Sequence, residues 1–419
     1  MLYLKNGTHI NWQTLEFTKT DIWIEEGVDG RIHFNKPSNI PENLQTIDCT
    51  GLFITRALAN AHHHIYSALA RGMPQPPKSP KNFHETLQYV WWQLDYALDE
   101  QMIRSSALVT ALAAAKAGCS FIIDHHSSPA HTVGSLDIIA DALDEVGLGH
   151  LLAYEITDRN GPEKAKESIN ETRNYLKNRQ GLVGLHASFT VEDDTLKEAL
   201  KIAKEFNTGV HAHLAEDLVD QDYCLSKYGK RVVQRYADMG FMELNANIFV
   251  HGIHLDANER QILNKSNTHI AVNYDSNLNN RVGIFKGDGL GQNIMLGTDG
   301  MQSDMFKAAQ TAWFTGINHE SMSPQTVYNR LRTVHNYLNH NNFKGDGENN
   351  LMILDYDTPT PISKDNFLGH FFYGMSSGHV RHMVSQGKLI IKDRKHAWLN
   401  EDEILAESKV QAKRLWAKL

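Results

Sequence analysis

The sequence predicts an α/β fold, a (β/α)8 TIM barrel carrying a small β-sandwich domain formed by the N- and C-terminal segments. Three observations carry this. Eight strand-like segments alternate with helical ones between Phe53 and about Phe314. Each strand segment is apolar enough to be buried on both faces, as parallel strands covered by helices are. The two chain ends instead read as short strands with no long helix between them.

The segments LYLKNG, DIWIEE and RIHF open the chain as short strands. The barrel strands follow as FITRALANA (53–61), SFIID (120–124), GHLLAYEI (149–156), GLVGLHAS (181–188), TGVHAHLA (208–215), NIFVHGIHL (247–255), THIAVNY (268–274) and NIMLGTD (293–299). Segments of period near 3.6, such as SLDIIADALDEVG and TLKEALKIAKEFN, supply helices between them. Asp256 and Glu259 stand at capping-box spacing and predict a helix start after the sixth strand. Eight units in roughly 260 residues match a (β/α)8 barrel. A doubly wound dinucleotide fold is disfavoured, because no glycine-rich phosphate loop follows the first strand.

Residues 71–105, from MPQPPKSPKN to NFHETLQYVWWQLDYAL, form an insertion after the first strand and are read as a lid. LMILDY and HVRHMVSQGKLII return to short strands, and DEILAESKVQAKRLWAKL closes the chain as a helix. The expected division is 1–55 for the first part of the sandwich, 56–344 for the barrel, and 345–419 for the second part with the terminal helix.

Composition narrows the function classes. An apolar content of 41% with 21% charged residues is that of a globular chain able to build a core. A net charge of -8 without any basic block disfavours nucleic acid as a partner. Cys49, Cys119 and Cys224 are far apart and suit neither a disulfide framework nor a thiolate metal site. With no signal-like N-terminus and no long apolar run, a cytoplasmic protein without membrane contact is expected.

Histidine is the unusual residue, with 23 copies, several in strand-like segments. In Asn60-Ala61-His62-His63-His64, the first and third histidines share a strand face. Taken alone, the run reads equally as half a metal site or as a polar surface stretch. The fifth strand adds His211 and His213, with Glu216 just beyond, and the sixth adds His251. The eighth ends in Leu296-Gly297-Thr298-Asp299-Gly300. His211 is read as a packed or supporting histidine and His254 as structural. His62, His64, His213, His251 and Asp299 all fall at C-terminal strand ends, the face on which barrel active sites are built. Imidazoles with one carboxylate and an open position form a hydrolytic zinc or iron site. The fourth strand offers no lysine to bridge two ions, so one divalent metal ion is expected.

These motifs, NAHHH (60–64), HLAE (213–216), VHGIHL (250–255), Ser276-Asn277 and LGTDG (296–300), resemble those of the amidohydrolase superfamily. The likeness is to its branch of cytosine, guanine and S-adenosylhomocysteine deaminases and triazine hydrolases. HIYSALARG (64–72), WWQLDYALDE (91–100), DHHSSPA (124–130), TDRNG (157–161), NNRVG (279–283) and SDMF (303–306) are similar to the SsnA group of aminohydrolases. Arg56-Ala57 stands where that superfamily usually has Pro-Gly, and Asn273-Tyr274-Asp275 precedes Ser276-Asn277 in place of the usual pattern.

The resemblance implies that His62, His64, His213 and Asp299 hold the metal, zinc first and iron second. It implies Glu216, His251 and Asp299 as the catalytic groups of a deaminase acting on a cyclic amidine such as an aminopurine, pterin or pyrimidine. His125 and His126 resemble a pocket-lining segment of purine and pterin deaminases. Arg159, His186 and Trp92 are further substrate-contact candidates, with Asp158 and Trp91 beside them. A homodimer is expected. Two alternatives stay open: the same site with another leaving group, and a catalytically silent scaffold.

Overall fold

A computed structural model describes all residues, 1–419. The eight barrel strands are Leu58–His63, Cys119–His126, Gly149–Ile156, Val183–Ala187, Val210–Leu214, Ile248–His251, His269–Val272 and Ile294–Leu296. Each pairs in parallel with its sequence neighbour. A bridge from His63 to Asp299 joins the last strand end to the first. Backbone hydrogen bonds from Thr298 N and Asp299 N to His62 O, and from His64 N to Asp299 O, make this seam. Ala59, Ala61, Phe121, Ile123, Leu151 and Ala153 help fill the interior, whose lower end is stopped by Val334, Tyr337 and Leu338.

Two register slips decide which side chains face the mouth. Between Asn60 and His63 the first strand advances three residues while the second advances two, from Ile122 to Asp124. Ala59 and Ala61 face inward below this bulge; above it His62 and His64 do, and the ring of His62 meets that of His211 at 4.9 Å. The fourth strand carries the second slip, with Leu185 opposite Ala212 but Ala187 opposite His213. Such bulges re-aim side chains next to active sites.

Helices cover the barrel exterior and share its large outer core. The predicted capping box is present: Glu259 N donates to Asp256 Oδ1 at 2.9 Å and Asp256 N to Glu259 Oε2 at 3.1 Å. The insertion folds as Phe83–Thr86, a π-helical turn Leu87–Trp91 and Trp92–Ala97, before the helix Glu100–Lys116. No helix is long and apolar enough to cross a membrane.

The chain ends meet in one continuous nine-stranded sheet. Strand Leu2–Ile10 pairs with Phe17–Ile24, Gln45–Asp48 and Phe53–Arg56; the last of these pairs with Leu351–Leu354. Twelve buried residues, among them Leu4, Ile22, Ile54, Ile353 and Val384, form its core.

Three segments depart from the sequence reading. The span 53–61 is two strands broken at Ala57, whose carbonyl accepts from Arg332 Nη1 at 2.9 Å. The span 247–255 ends as a strand at His251, where His251 and Gly252 adopt φ of 73° and 59°. Phe367–Tyr373, within the region read as strands, is a helix that buries Phe367, Phe371 and Phe372.

Barrel and sheet are tied by a buried polar knot. Asp346 accepts from Arg56 Nη2 at 3.0 Å and His335 Nδ1 at 2.7 Å, and all three side chains are buried. Asp346→Ala leaves the Arg56 guanidinium without its buried counter-charge. A loss of about 3 kcal/mol is expected, read as a lowered midpoint in urea unfolding with unchanged slope.

Candidate active site

The strand ends deliver their polar groups to one point. His64 Nε2 lies 3.1 Å from His213 Nε2 and 3.1 Å from Asp299 Oδ1. His62 Nε2 lies 3.7 Å from the same Asp299 oxygen. Nonglycine residues with left-handed backbone mark the ends of three strands: Ala215 (φ 47°), His251 (φ 73°) and Asp299 (φ 54°). Such strain concentrates where surrounding structure must hold a functional geometry.

Each of the three histidines is oriented by its other ring nitrogen. His64 Nδ1 donates to His125 O at 2.7 Å and His213 Nδ1 to His186 O at 3.3 Å. His62 Nδ1 lies 2.9 Å from His211 Nε2, which gives the predicted supporting histidine its role. With Nδ1 donating in all three, the Nε2 atoms converge. His64 Nε2 and His213 Nε2, 3.1 Å apart, must share either a proton or a cation, and His62 Nε2 is buried without any hydrogen-bond partner. Three imidazoles and a carboxylate with such second partners fit one divalent ion.

Burial disfavours charge on the imidazoles, pushing His62 down to about 3 and His213 well below the ordinary range. Burial also opposes charge on His64, yet the Asp299 carboxylate outweighs it and holds His64 up at about 9. Asp299 itself is kept well below its usual value against burial by His62 and His64. Ser276 Oγ donates to Asp299 Oδ2 at 2.5 Å and aims the other oxygen at the histidines.

The catalytic candidates stand beside this centre. His251 Nε2 lies 3.4 Å from Glu216 Oε2 and 3.9 Å from Asp299 Oδ2, and it has no hydrogen-bond partner. Its Nδ1 donates to Asn277 Oδ1 at 2.8 Å, so Nε2 is left as an acceptor. Burial, then the nearby Asp299 charge, raises Glu216 well above the ordinary carboxyl range. The protonated form of Glu216 is therefore favoured beside an Asp299 that favours its ionised form.

A cavity of about 220 Å³ opens over these groups. His186 lines it, as does Trp92 of the insertion, with Phe83, Leu87 and Trp91. The insertion thus covers the mouth. Three proposed substrate contacts do not line the cavity and are corrected. His125 faces inward but lies underneath, stacked 4.7 Å from His213, with neither ring nitrogen bonded. His126 falls on the alternate face and pairs with Ser128 Oγ at 2.9 Å. Arg159 is held between Asp95 and Glu155, which do line the cavity. Neither acid was singled out in the sequence. Glu155 carried a usable signal, a carboxylate at the C-terminal end of an apolar barrel strand, the same position that marks Asp299.

The amidohydrolase family model matches residues 53–344, the barrel with all of these groups. The chain belongs to the amidohydrolase family. A 5-methylthioadenosine/S-adenosylhomocysteine deaminase of Thermococcus onnurineus is 26% identical over 94% of each chain. A 5'-deoxyadenosine deaminase of Methanopyrus kandleri is 26% identical over 86% of each. A zinc-bound adenosine deaminase of Xanthomonas campestris superposes with a TM-score of 0.82 at 17% identity, covering 99% of this chain and 98% of that one. As an amidohydrolase the protein is a metal-dependent hydrolase of carbon–nitrogen bonds, with a donor set that fits one divalent ion.

Two outcomes are expected. His211→Ala removes the support of His62 and weakens zinc affinity about 10- to 100-fold, measured by competition with a chromophoric chelator. Metal uptake displaces the proton that His64 carries below about 9. Affinity therefore rises with pH up to that value, with proton release visible by calorimetry in buffers of different ionisation enthalpy.

Proposed function

We propose that this amidohydrolase is a zinc-dependent aminohydrolase that deaminates a cyclic amidine, such as an aminopurine, pterin or pyrimidine. The observation that carries this is a pair of carboxyl groups with different surroundings on one cavity: Asp299 among the converging imidazoles, 3.1 Å from His64 Nε2, and Glu216 outside them, 3.4 Å from His251 Nε2, where burial favours its protonated form. Pairs so separated mark acid and base assignments. Relatives named as deaminases of adenosine-type compounds support the reaction, and the zinc-bound neighbour supports the metal. The narrower likeness to the SsnA group belongs to the same proposal.

His62, His64, His213 and Asp299 would hold the ion, which supplies the Lewis acidity that makes water nucleophilic near neutral pH. Asp299 takes the proton of the attacking water, with Ser276 fixing the carboxylate. His251, fixed by Asn277, accepts a hydrogen bond through Nε2 and orients the nucleophile. Glu216 gives its proton to a ring nitrogen as the carbon becomes tetrahedral. Asp299 then passes its proton to the amino group, the carbon–nitrogen bond breaks, ammonia leaves, and the hydroxyl proton returns to Glu216 as the ring carbon becomes a carbonyl. Trp91, Trp92 and Phe83 exclude water and offer faces for stacking. The substrate is a small heterocycle, and a cytoplasmic homodimer is the proposed form of the enzyme.

Zinc-loaded protein is expected to release ammonia and a keto product from at least one member of a panel of aminopurines, pterins and aminopyrimidines. Confirmed zinc content with no turnover of any would overturn deamination. Product identification separates it from dechlorination, dealkylamination or amide hydrolysis. Glu216→Gln lowers kcat by about 10²- to 10⁴-fold while zinc stays bound. Because the protonated acid is the active form, the rate falls as pH rises through the raised value of Glu216.

A further inference from the structure

Six carboxyl-bearing residues line the cavity, and no lysine or arginine does. Four of the six have evident work. Glu216 and Asp299 belong to the reaction. Asp217 caps a helix by accepting from Val219 N at 3.0 Å, and Asp220 accepts from Ala215 N and Phe189 N at 2.9 Å each. Asp95 of the lid and Glu155 of the third strand remain.

Both are almost fully buried, and both are held by Arg159: Nη2 to Asp95 Oδ2 at 2.7 Å and Nη1 to Glu155 Oε1 at 2.5 Å. The guanidinium also lies 5.3 Å from the Trp92 ring centroid. Its charge is thus directed at two carboxyl groups and does not reach the cavity. Asp95 Oδ1 and Trp92 Nε1 are buried with no partner. Burial pushes Asp95 up to about 7, but even a protonated Asp95 leaves Arg159 matched by Glu155. Away from the metal centre the wall offers no positive side chain to a ligand.

Resting on the reading of this cavity as a deaminase site, we infer that Asp95, Glu155 and Arg159 make it charge-selective. It admits rings whose substituents are neutral donors or cations and rejects those bearing phosphate or carboxylate. Arg159 is a positioning residue here, orienting the two acids and tying the lid to the barrel. With Arg159 already shared between Asp95 and Glu155, a buried anion near them finds no cationic side chain to offset its desolvation, and the cavity's acids add like-charge repulsion in a medium of low dielectric.

The test is equilibrium binding to the zinc-loaded, slowed Glu216→Gln enzyme. The probes are adenosine, guanosine and cytidine, each with its 5'-amino-5'-deoxy and 5'-monophosphate derivative. For any parent that binds, the ammonium form is expected to bind at least equally well and the monophosphate at least tenfold more weakly. Adding Glu155→Gln frees the Arg159 charge and narrows that gap about tenfold. Asp95→Asn is the second variant, so that misfolding of one does not decide the matter. Monophosphates that match their parents, failure of all three parents to bind, or a gap unchanged in both variants would overturn the inference. Selective binding without ammonia release from the wild-type enzyme sinks deamination alone; ammonia release with monophosphates preferred sinks charge selectivity alone.

Discussion

Asp299 joins two requirements that could have been met separately, because its backbone closes the barrel against His62, His63 and His64 while its carboxylate faces two of those rings. The contact that makes the eight strands a closed sheet is also the contact that completes the ligand set. Ser276 and the left-handed backbone at Asp299 hold this geometry from the seventh and eighth strand ends. A carboxylate buried among imidazoles is costly without compensation. Here the compensation is the polar centre itself, so barrel closure and metal affinity are coupled through one residue.

Around that centre, protonation is sorted by burial and by neighbours. Low dielectric favours the neutral forms of His62, His213, His251 and Glu216, while the nearby rings of His62 and His64 favour the ionised form of Asp299. One small cavity thereby presents lone pairs for a cation, a base and an acid together. The lid belongs to the same design. Its tryptophans close the apolar side of the mouth, and its Asp95 is anchored to the barrel through Arg159.

Much of this was legible in the sequence because the informative signals are local. Apolar runs of strand length, helices at period 3.6, and polar residues at strand ends mark the barrel and its active face. His62, His64, His213, His251, Glu216 and Asp299 could be picked out because each sits at or just beyond the end of such a run. What could not be read depends on neighbours distant in the chain. Alternation alone does not show that His125 lies beneath the rings of His64 and His213, or that Arg159 is matched by an acid 64 residues earlier. The helix Phe367–Tyr373 was hidden because FFY favours a strand until Tyr328 and Phe306 are there to pack against.

The extra residue between Asn60 and His63 has a consequence for how the chain can change. Below the bulge the first strand shows the barrel interior one set of alternating positions, and above it the other. Side-chain chemistry there is therefore subordinate to counting. Removing one residue between Asn60 and His62 would erase the bulge and keep His63 opposite Asp124, with His62 and His64 still inward, whereas adding one beyond the bulge would turn both outward. This stretch can therefore lose a residue more readily than it can gain one.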